Sequence, residues 1–472
     1  MQRNDGLSAW QLTMLALGTV VGGSFFLGSS IAIRAAGPAI LLSFILSGFL
    51  VYIILTALSE MTVADPQPGS FRTYSEQQFG PRTGFLVGWV YWTGLILAMS
   101  SEATAASIFL RAWIPEIPLP VLAILIVVGV TLLNLLGAKL LSNLEGGLAA
   151  VKLGALVAFI GLAVALILGL FPQRAPVGAG ALALEPLFPG GLTGIAGSML
   201  IVLFSYAGFE IIGLAASETR FPHKTVPRAI TYTVIALVGL YCAVIALLLP
   251  LTPTGSLSGE VSPMVTALNA GGLNWAAGSI NVILVSAILS TMLAATFGLG
   301  RMVRSLADAG HAPSILADRG DIPRRGILFS GAAMLLAVSL GYILPGQIYI
   351  FLVSSGGFSL LFAYVIILAT HYRYRKINGC PPRGKCQLPG FPYTSMLALA
   401  GLVLAILSMP FIPGQGSGLY VGLILVALYL ALFYVFKILP GKTRQHMTVY
   451  AKPFVDHVAN KKYSRKNKTD LD

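Results

Sequence analysis

Gly18-Thr19-Val20-Val21-Gly22-Gly23-Ser24 interrupts a hydrophobic stretch, residues 9–33, that is otherwise long enough to cross a membrane. Three glycines and two hydroxyl residues in seven positions weaken a helix, since glycine costs roughly 1 kcal/mol relative to alanine at an interior site. In hydrocarbon no water satisfies a released backbone group, so the cost is higher still. A break is kept there only where the exposed backbone is put to use. A second interruption, Ser205-Tyr206-Ala207-Gly208-Phe209-Glu210, falls in a later apolar stretch. Two breaks at corresponding places in two halves of a chain predict a ligand site near the membrane midplane.

Composition sets the class. The chain has 472 residues, 56% hydrophobic and 10% charged, with a mean hydropathy of +0.84, whereas soluble domains carry about 25% charged residues. It reads as a polytopic all-α membrane protein with one domain over residues 1–440. Spans are expected near 9–33, 38–60, 83–113, 119–138, 146–171, 192–217, 228–250, 273–302, 327–345, 347–370, 393–413 and 416–438. With the N-terminus inside, Arg34, Arg111 and Arg174 lie outside, and the other 27 of 30 Lys and Arg fall on the cytoplasmic side. That bias predicts twelve spans in the plasma (inner) membrane with both termini cytoplasmic. The net charge of +13 is then an orientation signal, and nucleic acid is not an expected partner. The first stretch has no small-residue cleavage site and many spans follow it, so it is not expected to be a removable signal peptide.

The spans group as ten plus two. If residues 9–171 and 192–370 are two copies of five spans, the odd number turns the second copy upside down. The broken first and sixth spans then cross in opposite directions, with helices over 393–438 added at the end. Residues 441–472 form a basic tail, expected in the cytoplasm and disordered. Cys380 and Cys386 form a C-x5-C pair with no His or further Cys nearby, and are expected to be free reduced thiols. All five His residues (His223, His311, His371, His446 and His457) are expected in cytoplasmic loops or the tail, so intramembrane metal chemistry has no ligands.

At a midplane break, helix ends of both polarities meet. The halves starting near Ser24 and Phe209 present free N–H groups, suited to a carboxylate. The halves ending there present free carbonyls, suited to an ammonium. One pocket with both polarities matches a zwitterion, so an α-amino acid is the expected substrate. Backbone around Val21, Gly22, Gly23 and Ser24 would take the carboxylate. Backbone around Ser205, Tyr206, Ala207 and Gly208 would take the ammonium. Phe25, Tyr206 and Phe209 flank the breaks and are candidates to line or gate the pocket. The competing reading is that the glycines serve close helix packing.

These stretches resemble the amino acid–polyamine–organocation superfamily, and within it bacterial amino acid permeases. Residues 18–28 look like the family motif G-x-T-I-G-T-G-L-F-x-G. Phe204 to Glu210, with Ser217-Glu218, Pro222 and Lys224 to Ile230, look like its sixth-span signature. Gly69-Ser70-Phe71 to Tyr74, Gly84-Phe85 to Trp92 and Glu102 to Ala106 match the second loop and third span. Arg301-Met302 and Ala307 to Gly310 match the end of the eighth. The resemblance runs through spans one to ten in order. It implies a LeuT-type five-plus-five fold, alternating access and amino acid uptake. The chain departs from the motif at Gly23-Ser24, where the family has Thr-Gly.

Three charged residues stand out. Glu210 lies mid-membrane just past the second break, where a charge costs roughly 2.5–3.5 kcal/mol and is functional by default. It matches a family Glu implicated in gating or proton coupling, with capping of the inner half-helix as the plain alternative, and the two are compatible. Glu102, in the outer part of span three, resembles the third-span Glu of aromatic and general amino acid permeases. Lys152 lies about 10 Å into span five at 1.5 Å per residue. It matches the lysine that stands in for sodium in proton-coupled relatives, with snorkelling to the interface as the plain alternative. Ser286, Ser290 and Thr291 on span eight offer oxygens to the same region. Proton-coupled symport is expected, and exchange, sodium coupling and a non-transporting sensor subunit such as a germinant receptor stay open. No cofactor is expected beyond the coupling ion, a monomer would suffice, and the absence of HExxH and GxSxG argues against an enzyme.

Overall fold

A lipid-immersed segment must satisfy its own backbone groups, which leaves the helix as the available form for apolar stretches such as these. The computed structural model describes residues 7–438 except 66, 68, 173–174, 216–218, 220, 319, 321, 345 and 381–385, and no side chains at 138–146, 214–215 and 436–438. The basic tail at 441–472 and Ser217-Glu218 therefore lie outside the described residues.

In chain order the helices are α1 (Ala9–Val20), α2 (Gly23–Phe26), α3 (Gly28–Ala36), α4 (Ile40–Ala64), α5 (Phe71–Phe79), α6 (Pro81–Leu110), α7 (Leu119–Asn134), α8 (Ala138–Leu168), α9 (Gly191–Ser205), α10 (Ile211–Ala215), α11 (Pro222–Leu251), α12 (Pro263–Ala270), α13 (Asn274–Asp308), α14 (Arg324–Ser339), α15 (Ile348–Asn378), α16 (Tyr393–Ser408) and α17 (Gly416–Ile438). Among the described residues nine helical stretches are long and apolar enough to cross a membrane. Shorter apolar helices lie at Ala9–Val20, Leu119–Asn134 and Gly191–Ser205. No β-strand occurs among the described residues; Leu7 and Thr219 form an isolated parallel bridge that ties the start of α1 to the chain beyond α10.

Among the described residues each expected apolar stretch overlaps helix, and both glycine-rich interruptions are breaks. α1 stops at Val20, Val21 and Gly22 are extended, and α2 resumes at Gly23. α9 stops at Ser205 and α10 resumes at Ile211. α6 lies at the centre of the bundle, packed against α15 on one side and α13 on another, while α17 lies against α15 and α6.

One expectation fails at one end of the bundle. α15 runs past residue 370 to Asn378, where Arg375 and Lys376 favour the helix C-terminus and Gly379, at φ 71°, ends it. His371 is therefore helical and fully buried, its Nε2 2.7 Å from Glu60 Oε2. Hydropathy reads only where the apolar run stops, and the helix continues because Glu60 on α4 gives its polar side a partner. Cys380 and Cys386 lie within bridging reach of one another, with Cα atoms 5.1 Å apart. His311 is also buried, 4% exposed, although it follows α13 in a loop.

Candidate functional site

Both breaks expose helix ends, and the protein's own side chains meet them. At the start of α2 the backbone N–H groups of Gly23 and Ser24 donate to the Glu102 carboxylate, the latter at 3.0 Å. Glu102 sits on α6 and is 3% exposed. The glycines make this approach possible. A Cβ on Gly22 would lie 3.0 Å from Glu102 Oε2, and one on Gly23 only 2.9 Å from it and 3.0 Å from Ile288 Cδ1. The carboxylate position expected for a substrate thus holds a carboxylate of the chain itself.

The carbonyls at the end of α1 meet a cation in the same way. Lys152 Nζ, fully buried on α8, donates to Gly18 O, to Val21 O at 3.1 Å and to Thr291 Oγ1 at 3.1 Å. Thr291 Oγ1 in turn donates to Val21 O at 3.0 Å. The first break is thereby tied to α8 and α13. A lysine snorkelling to the interface would not be buried among these carbonyls.

The second break turns on Gly208, whose φ of 104° suits glycine alone. Its N–H donates to Glu210 Oε2 at 3.1 Å, and Glu210 also accepts from Tyr91 Oη at 2.8 Å and Tyr364 Oη at 3.3 Å. Glu210 therefore caps the break and is held between α6 and α15. Ser205 O accepts from Tyr241 Oη at 3.3 Å.

The two breaks flank a cavity of about 710 Å³ lined by Gly18, Ser24, Glu102, Gly208, Glu210 and Thr291, among others. It extends past Trp10 at the start of α1 and Arg301 and Ser305 near the end of α13. These ends lie on the side that the charge pattern assigns to the cytoplasm. Beyond the breaks, Phe25 stacks on Tyr241 at 3.8 Å, with Phe44 and Tyr206 against the pair. Phe25, Tyr206 and Tyr241 are at most 2% exposed.

Of the expected binding residues, Ser24, Ala207 and Gly208 line the cavity. Phe25 and Tyr206 belong to the aromatic cluster instead, and Tyr206 Oη donates to Phe44 O at 3.2 Å. Phe209 packs on Tyr364 with ring centres 5.0 Å apart. These rings turn away because burial against other aromatics outweighs exposure in a polar gap. Val21, Gly22, Gly23 and Ser205 contribute backbone rather than a wall. Glu102, Glu210 and Thr291 line the cavity, and Lys152 joins them through Thr291 and the first break. Ser286 Oγ donates to Ile283 O at 2.7 Å, and Ser290 Oγ is buried with no hydrogen-bond partner among the described residues. Sequence reasoning missed Tyr91, Tyr241 and Tyr364. A tyrosine in an apolar span reads as packing until the acceptor of its hydroxyl is known.

A sequence model of the family described as "Amino acid permease" matches residues 11–445. The chain belongs to the amino acid permease family. An uncharacterized amino acid permease of Bacillus subtilis (strain 168) is 32% identical over 443 residues, covering 91% of this chain and 94% of that protein. A gamma-aminobutyric acid permease of Escherichia coli (strain K12) is 33% identical over 421 residues, covering 87% and 89%. A probable threonine/serine transporter of Bacillus subtilis (strain 168) is 29% identical, covering 93% and 96%. Among solved structures, two mutant forms of the Eremococcus coleocola manganese transporter share the fold, each with a TM-score of 0.55 and 16% identity, covering 95% of this chain and 98% of theirs. This permease is thus a multi-pass membrane transporter and not an enzyme.

Proposed function

We propose that this permease takes up a neutral amino acid across the plasma membrane by alternating access, coupled to proton entry. Twelve spans in an inverted five-plus-five repeat would carry it, the first, second, sixth and seventh rocking against the rest. The observation that carries this reading is the pair of internal charges on the first break: Glu102 on two amides, Lys152 on two carbonyls. Together they mimic the two ends of a zwitterion.

A substrate carboxylate reaching the Gly23 and Ser24 amides must displace Glu102. Two carboxylates cannot share those amides while both are ionised, so Glu102 leaves as the acid and takes a proton with it. Lys152 occupies the carbonyl and hydroxyl oxygens that would otherwise suit a cation, which favours proton over sodium coupling. The cavity reaching one side, with aromatic rings packed beyond the breaks, fits an inward-facing state. The named substrates of two relatives, gamma-aminobutyric acid and threonine or serine, support a small neutral amino acid.

Uptake of labelled amino acids into proteoliposomes, under an imposed pH or sodium gradient, tests this reading. Wild type is expected to respond to the pH gradient, and Lys152→Ala and Glu102→Gln to lose that response. Uptake driven by sodium alone would overturn the proton coupling. Binding without any uptake would favour the sensor.

A further inference from the structure

The end of α15 carries a cluster that the transport reading does not use. Glu60, at the cytoplasm-assigned end of α4, is 1% exposed. Its Oε1 accepts the backbone N–H groups of Gln387 at 2.6 Å and Leu388 at 2.8 Å, and lies 3.4 Å from Arg375 Nη1. Its Oε2 meets His371. Ser59 Oγ donates to the Gln387 side chain at 2.6 Å, and Arg375 Nη1 to Leu388 O at 3.0 Å. The segment after Cys386 therefore bridges α4 and α15. A buried carboxylate that loses two amide donors is left under-solvated, so this bridge is costly to open.

Cys380 and Cys386, with Cα atoms 5.1 Å apart, border that segment. Both cysteines are solvent-exposed, and Arg375 Nη2 donates to Cys380 Sγ at 3.9 Å, placing a cation beside a sulfur that becomes anionic during exchange. A bond between them would close a short, exposed ring and add nothing to the core. On the cytoplasmic side, where thiols are held reduced, such pairs are redox-responsive rather than structural.

We infer that Cys380 and Cys386 form a reversible thiol–disulfide site that sets how firmly Gln387 and Leu388 are held on Glu60, and so how freely α4 moves against α15. A low-molecular-weight disulfide supplies the oxidant. The Cys380 thiolate attacks it and expels one thiolate; the Cys386 thiolate then attacks the Cys380 sulfur and expels the second. Two protein thiols are oxidised, the reagent's one disulfide is reduced to two thiols, and the two protons pass to the released thiolates. The bridge closed by the disulfide restrains α4, and reduction frees it. The consequence for transport rests on the rocking motion proposed above; the clamp itself does not.

Purified full-length permease, treated with oxidised glutathione or with dithiothreitol, separates the two parts. Differential alkylation and mass spectrometry are expected to find the Cys380–Cys386 bond in the first sample only. Amide exchange over residues 386–391 is expected to be about tenfold faster after reduction. Uptake in proteoliposomes is expected to be about fivefold faster in the reduced form. The double variant Cys380→Ser/Cys386→Ser, which keeps Cys242 as an internal control, is expected to match the reduced form under both treatments. A pair that resists oxidation, or exchange over 386–391 that is identical in both states, would overturn the site. A redox-dependent clamp in a protein that shows no uptake in either state would instead count against the transport reading. Faster exchange with unchanged, active uptake would overturn the link to α4.

Discussion

Thr19 and Gly208 meet where the two broken helices cross. Thr19 Oγ1 donates to Gly208 O at 3.4 Å, and a Cβ on Gly208 would stand 3.1 Å from Thr19 O. The two breaks are thus one structural unit, each supplying the surface against which the other bends. Gly208→Ala meets both a positive φ and a backbone oxygen. It is expected to lower stability by about 1–3 kcal/mol, as strained backbone positions do, and to abolish uptake. Thermal unfolding in detergent and proteoliposome uptake check it; an unchanged melting temperature with normal uptake would refute the crossing.

Gly23→Ala tests how close Glu102 must come to α2. The new methyl would press on the carboxylate at 2.9 Å and on Ile288, while Gly154, on α8, has nothing within 4 Å. Gly154→Ala is expected to be neutral or stabilising by up to about 1 kcal/mol, from helix propensity. Gly23→Ala is expected to reduce uptake at least about tenfold, the equivalent of 1.4 kcal/mol. Equal behaviour of the two variants would mean that the carboxylate tolerates displacement.

Tyr91 and Tyr364 share Glu210 as acceptor. Removing either hydroxyl, as Tyr91→Phe or Tyr364→Phe, leaves a buried acceptor short of a donor, at a cost of about 1–3 kcal/mol. Because both act on one carboxylate, the double variant is expected to depart from the sum of the singles by about 0.5 kcal/mol or more. Strict additivity in thermal unfolding would show that the two hydroxyls do not act on a common group.

The legible parts of this molecule are those written in backbone chemistry. Glycine clusters in apolar runs marked both breaks, because hydrocarbon forbids an idle release of backbone groups. Illegible were the partners of those breaks, since nothing local says which distant side chain arrives. Glu102 reads as one acid on α6 until α6 lies beside Gly23, 79 residues away in the chain. The packing of the aromatic residues was illegible for a related reason: Phe25 adjoins the gap in sequence, yet its ring finds Tyr241 on α11. His371 was misplaced because hydropathy marks where lipid ends, not where a helix does.

His311 gives the clearest acid dependence outside the spans. Burial pushes its imidazole down from 6.5 to about 4, with the Arg72 guanidinium adding to the effect. It is therefore neutral at pH 7, and its 3.8 Å approach to Glu76 is not an ion pair there. A depressed histidine means that the unfolded chain binds the proton more readily. Stability is then fully present above pH 6.5 and is lost as the pH falls toward 4, by up to about 3 kcal/mol at 1.36 kcal/mol per unit. Glu76 opposes this, since burial raises its carboxyl while Arg72 lowers it. Comparing wild type with His311→Asn isolates the histidine. The variant is expected to lose less stability than wild type between pH 7 and pH 4.5 in thermal unfolding. Parallel acid profiles for the two proteins would show that His311 is protonated without penalty in the folded state.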